Sequence, residues 1–157
     1  MAVDVQFACI DSGVPSEKDI QDWVEFAAGQ SGRMPDSDAD IAVRIVDVAE
    51  IQSLNHLYRE KDAPTNVLSF PAGEIDGLPR DEVRQLGDIV VCAPVVSKEA
   101  ALQGKSLDDH WAHMLVHGVL HLLGYDHEND ADANEMERLE IAILKDRGIA
   151  DPYASQR

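Results

Sequence analysis

Basic side chains are scarce in this sequence: 13 lysines and arginines stand against 30 aspartates and glutamates, a formal net charge of −17 at pH 7. So acidic a chain argues against the nucleic-acid modules that grip phosphates through a broad basic surface, and against adhesion to anionic membranes. It leaves room for a small, locally neutralised site for a polyanion, and a metal cation is one way to build one. Cysteine is also rare. Cys9 and Cys92 sit among apolar neighbours without CxxC spacing, which reads as a reduced pair of core thiols rather than a disulfide or a metal motif. Long apolar runs are missing, since a stretch such as 89–96 is far too short to span a bilayer. The N-terminal Met1-Ala-Val-Asp-Val-Gln-Phe segment alternates like a strand and has neither the basic nor the apolar region of a secretory leader. A cytoplasmic location, with neither membrane nor DNA as partner, is the expectation. Repeats, low-complexity tracts and linkers are lacking too, so residues 1–157 read as one domain.

What is present has clear periodicity. Val3, Val5 and Phe7 alternate with polar residues as in a half-buried strand, and segments 41–46, 67–70 and 89–92 are further strand candidates. Ser16 to Asp19 and Asp47 to Glu50 have the form of helix-opening capping boxes, the second leading to a short helix that ends before Asp62-Ala-Pro64. Pro94 suits a first helical turn and Gly104 a stop. Ser106 opens a long apolar helix that stops at Gly124, and an amphipathic helix follows over about 131–147. The polar stretch holding Asp76-Gly77 and Pro79 reads as a loop. The expected fold class is α/β (α+β): a small mixed β-sheet of about four strands packed with about five helices in a single domain.

The segment His117-Gly-Val-Leu-His121-Leu-Leu-Gly124-Tyr-Asp-His127 carries the most chemistry. Residues four apart share a helix face, so His117 and His121 can offer imidazole nitrogens to one ion. Gly124 can adopt the left-handed conformation that ends a helix, turning His127 back toward them. Three neutral ligands on a tetrahedral ion leave one open position, the mark of a catalytic zinc. His113, His117 and His121 also form a row, but its outer members lie roughly 12 Å apart along the axis, too far to share an ion. His113 is therefore either a partner that hydrogen-bonds a ligating ring or a core histidine. His110 reads as a first-turn residue without chemistry, and His56 lies on another helix. Zinc proteases of the HExxHxxGxxH type share this spacing, with the glutamate after the first histidine as general base. Here that position is Gly118, which makes a metalloprotease the alternative rather than the choice.

Together with Leu54-Asn-His-Leu-Tyr-Arg59-Glu-Lys-Asp62-Ala-Pro-Thr-Asn-Val-Leu-Ser-Phe-Pro71, Leu86-Gly-Asp-Ile89 and Trp111-Ala-His113, these residues resemble the bacterial YbeY-type endoribonucleases, also called rRNA maturation factors, over most of the chain. The resemblance implies a zinc-dependent, single-strand-specific endoribonuclease acting in 16S rRNA 3′-end maturation and ribosome quality control. It implies His117, His121 and His127 as ligands of one zinc per chain, Arg59 as the residue implicated in RNA cleavage, and rRNA and the small ribosomal subunit as partners. A non-catalytic ribosome assembly factor is a further alternative. One departure is Asn66, where the family usually shows aspartate.

Chemistry gives Arg59 an independent rationale, because a guanidinium is a planar, permanently charged set of donors for phosphate oxygens; it could equally be a solvated cation at a helix end. Asp88 and Asp126 could each accept a hydrogen bond from a ligating imidazole or simply sit in a turn. The acidic run Glu128, Asp130, Asp132, Glu135, Glu137 and Glu140 reads as a solvated helix face, with contact to a basic ribosomal protein as the alternative. Because the far field repels RNA, recruitment through a partner is expected.

Overall fold

The structure is a computed structural model that describes residues 1–34, 39–72, 85–126 and 128–154. The loop expected around Asp76-Gly77 and Pro79, and the third histidine, His127, lie outside the described residues. Elements follow in the order β1 (Val3–Phe7), α1 (Glu17–Gln30), β2 (Asp40–Val46), α2 (Val48–Arg59), β3 (Val67–Pro71), β4 (Gln85–Cys92), α3 (Ala93–Gln103), α4 (Leu107–Leu122) and α5 (Asp130–Asp146). The sheet order is β1-β2-β4-β3, with β1, β2 and β4 parallel and β3 antiparallel to β4. Among the described residues this is the mixed four-stranded sheet with five helices that the periodicity predicts.

Local chemistry sets the element ends. Ser16, Asp47 and Ser106 each accept a hydrogen bond from the backbone N–H three residues on, at Asp19, Glu50 and Asp109. Strand β4 begins earlier than its apolar run 89–92 because Gly87 and Asp88 pair with Pro71 and Phe70 of β3. Gly87 has a φ of 145°, and a Cβ there would fall on the Phe70 carbonyl oxygen, so no other residue fits.

Strand alternation divides the core into two faces. Ile41, Val43 and Ile45 of β2 and Ile89 and Val91 of β4 meet α1, α3, α4 and α5 on one face. Val46, Val90, Cys92 and Phe70 meet Ile51, Leu54 and Tyr58 of α2 on the other. Each fully buried aliphatic side chain contributes about 1.5–3 kcal/mol. Cys92 is buried and Cys9 half-buried, and both are free thiols. None of the described helices is long and apolar enough to cross a membrane.

Helix α4 is the centre of the larger face. From His110 to Leu122 every residue is buried except His117 and His121. Gly118 lets this helix lie directly on the sheet: a Cβ there would stand 2.8 Å from Ile89 Cγ2 and 3.3 Å from Val67 Cγ2. A glutamate at 118, the general base of the protease pattern, has no room at this contact.

Candidate metal centre

His117 and His121 stand one turn apart on α4 with ring centroids 4.6 Å apart. Both line a cleft of about 390 Å³ whose wall also includes Arg59, Ser69, Tyr125 and Asp126. Helix α4 ends by the device its sequence suggests. Gly124 takes a φ of 96°, its N–H reaches His121 O at 3.0 Å, and Tyr125 N–H reaches Leu120 O at 3.0 Å. The chain thus reverses beside the two histidines, and the Tyr125 hydroxyl anchors the turn on Ser31 O at 2.7 Å.

Arg59 is the last residue of α2 and enters the same cleft from the opposite layer. Its Nη1 donates to Tyr58 O at 3.1 Å and its Nη2 to Ser69 O at 2.9 Å, while the guanidinium lies 4.8 Å from the centroid of the Phe70 ring. Glu60 then ends the helix with a φ of 59°, the left-handed conformation usually left to glycine or asparagine. The guanidinium is therefore held in plane by two carbonyls and an aromatic face. It places a permanent positive charge beside two imidazoles in an otherwise acidic molecule.

Beneath His117 lies a group that the sequence reading assigned to a solvated face. Glu140 of α5 has no exposed surface. Its Oε1 accepts from His117 Nδ1 at 3.2 Å, and its Oε2 accepts from His113 Nε2 at 2.6 Å and from the Tyr153 hydroxyl at 2.8 Å. Burial alone would raise this carboxyl, but the hydrogen bonds and charge of His113 and His117 hold it down at about 2. Tyr153 is pushed upward by burial and by Glu140, so it remains a hydroxyl donor. The placement of Glu140 is a correction with a signal in the sequence: Met136, Glu140, Ile143 and Leu144 share the buried stripe of α5, and a carboxylate there requires donors. Tyr153 and Ser69 carried no such signal.

The remaining candidates divide. His113 is buried and bonded to Glu140 rather than directly to a neighbouring imidazole. Asp126 is exposed on the cleft wall. Asp88 lies across the sheet from Phe70, has no hydrogen-bonding imidazole among the described residues, and is raised by burial. His110 lies in the first turn of α4, as expected, and is buried, with Nε2 3.0 Å from Glu99 Oε1.

His113, His117 and Glu140 offer ligand atoms all within 4.8 Å of one another, so this cluster could hold a metal ion. The Glu140 oxygens, however, already take three donors at hydrogen-bond distance. A carboxylate accepts and cannot donate, so a neutral His117 carries its proton on Nδ1 and its lone pair on Nε2. A carboxylate behind an imidazole is the usual support of a metal-binding histidine, and this donor set fits an ion held on the cleft side of His117 and His121.

Comparison with known proteins gives the same direction. The family model described as Endoribonuclease YbeY matches residues 10–148. The chain is 54% identical over 156 residues to the endoribonuclease YbeY of Xanthomonas campestris pv. campestris (strain B100), covering 99% of this chain and 94% of that protein. It is 53% identical over 156 residues to the endoribonuclease YbeY of Stenotrophomonas maltophilia (strain R551-3), with the same coverage. Among solved structures, the solution structure of TM1509 from Thermotoga maritima aligns with a TM-score of 0.58 and 27% identity, covering 90% of this chain and 87% of that one. With near-complete coverage at this identity, the chain belongs to the YbeY family.

Proposed function

We propose that this chain is a single-strand-specific, zinc-dependent endoribonuclease that acts in the cytoplasm in 16S rRNA 3′-end maturation and ribosome quality control. The observation that carries the reading is the convergence of Arg59 with His117 and His121, the two residues of the segment 110–122 that are not buried, in one cleft. The names of the relatives support endoribonuclease activity.

In this reading His117, His121 and His127 hold one zinc ion. When bound, zinc supplies Lewis-acid chemistry at a phosphoryl oxygen and acidifies water at neutral pH. Arg59 binds the scissile phosphate and offsets the charge that builds on its oxygens, with its plane set by Tyr58 O, Ser69 O and the Phe70 ring. Glu140 keeps the His117 proton on Nδ1. Peptide hydrolysis is disfavoured because Gly118 packs against Ile89 and Val67 with no space for a general base. The acidic surface leaves recruitment to the small ribosomal subunit, with the exposed carboxylates of α5 suited to a basic ribosomal protein.

The test pairs metal content with product. Elemental analysis is expected to find about one zinc per chain, lost in His117→Ala and His121→Ala. Single-turnover cleavage of one rRNA segment is expected to be far faster within small subunits than free. Stoichiometric zinc in both variants overturns the ligand assignment. Zinc binding with no RNA cleavage on either substrate favours an assembly factor, and cleavage of peptides instead restores the protease.

A further inference from the structure

Glu140 is the only fully buried carboxylate among the described residues. Burying that charge is unfavourable unless its oxygens are satisfied, and here both are. Two of its three donors have nothing to do with the cleft: His113 lies inside the core, and Tyr153 belongs to the C-terminal turn, its ring edge-on to His113 with centroids 5.2 Å apart. The third donor is His117, on the cleft wall. A chain of contacts thus runs from the C-terminal turn through Glu140 to one imidazole of the candidate centre.

We propose that Glu140 is the positioning residue of the metal centre, setting the tautomer and ring plane of His117, and that Tyr153 and His113 fix Glu140 in turn. The proposal rests on the reading of His117 as a ligand. Without Glu140 the ring could flip or exchange its proton between nitrogens, and each metal-binding event would first have to select the competent state. With it, that selection is made during folding. Tyr153 then tunes metal affinity from the C-terminal turn, 13 residues beyond Glu140 in sequence.

The experiment uses the full chain, labelled with ¹⁵N, with zinc as the probe. Long-range ¹H–¹⁵N correlations on the metal-free protein, recorded at rising pH until the His117 signals stop moving, report the tautomer of the neutral ring. Chelator competition reports zinc affinity for the parent, Glu140→Gln, Tyr153→Phe and His117→Ala. The Nδ1–H tautomer is expected in the parent, with zinc affinity about 10–100-fold weaker in Glu140→Gln and a smaller loss in the same direction for Tyr153→Phe. If Glu140→Gln does not fold, the parent's tautomer and Tyr153→Phe decide the question. An Nε2–H tautomer in the parent, or zinc affinity in the variants within about twofold of the parent, overturns the positioning role and leaves the metal reading standing. Stoichiometric zinc in His117→Ala overturns both.

Discussion

The Ser69 hydroxyl donates to the backbone carbonyl of Gly118 at 2.7 Å, pinning β3 to α4 at the only residue of that helix without a side chain. The carbonyl of the same serine accepts from Arg59 Nη2 at 2.9 Å. One residue therefore joins the arginine of one layer to the histidine-bearing helix of the other. Gly118→Ala is expected to destabilise the fold by about 1–3 kcal/mol through overpacking against Ile89 and Val67. Gly118→Glu is expected to prevent folding rather than confer peptide hydrolysis. Equilibrium urea unfolding and a peptide-cleavage assay check the pair.

Arg59→Ala is expected to retain zinc while RNA cleavage falls about 10²–10³-fold, the loss of a charged transition-state donor. Arg59→Lys keeps the charge but not the planar fork that Ser69 O and Tyr58 O hold, so it is expected to recover only part of the rate. Single-turnover rates beside elemental analysis decide the matter. Unchanged cleavage in Arg59→Ala returns the residue to a solvated helix-end cation.

Asn66 gives its amide to Glu99, with Nδ2 3.1 and 3.2 Å from the two carboxylate oxygens. Aspartate, usual at this position in the family, would here face Glu99 with like charge. Asn66→Asp is expected to lower stability at neutral pH by about 1–3 kcal/mol, the scale of a lost hydrogen bond to a charged group. The facing carboxylates would titrate higher in the folded chain than in the unfolded one. The loss should therefore shrink as pH falls through the carboxylate range, which urea unfolding at several pH values measures.

Burial lowers the affinity of His110 for a proton, even with Glu99 beside it. In the unfolded chain this histidine titrates near 6.5, so below that value the unfolded state binds more protons and gains relative stability. The contribution of His110 to stability is expected to decline as pH falls below about 6.5, until the depressed folded-state value is passed. His110→Gln should flatten that part of the stability profile in denaturant titrations. An unaltered slope would show that other groups set it.

Element boundaries were legible wherever a side chain advertised them, as Ser16, Asp47 and Ser106 did by capping. Asn129, which caps α5 by accepting from Asp132 N–H, is the same kind of signal and places the helix start one residue before the expected one. Strand β4 was longer than its apolar run because Gly87 and Asp88 interrupt the alternation, yet they pair with β3 all the same. In the site, spacing alone placed His117 and His121 on one face. The partners of His117 were harder to read. Glu140 looks like one more charge in an acidic helix until the apolar stripe of α5 is traced through it, and Tyr153 reaches Glu140 from a turn that no local rule connects to α4.

The two halves of the cleft are held by parts of the molecule with different resistance to opening. His117 and His121 project from a helix whose other residues between 110 and 122 are all buried, whereas Arg59 ends a helix with only Ile51 and Asn55 buried. Amide hydrogens along α4 should exchange only through global unfolding, while those around Arg59 and the Gly124 turn exchange through cheaper local openings. The helical wall that carries His117 and His121 is thus expected to be the most resistant part of the cleft. Local opening is expected at its two rims, the end of α2 at Arg59 and the turn at Gly124.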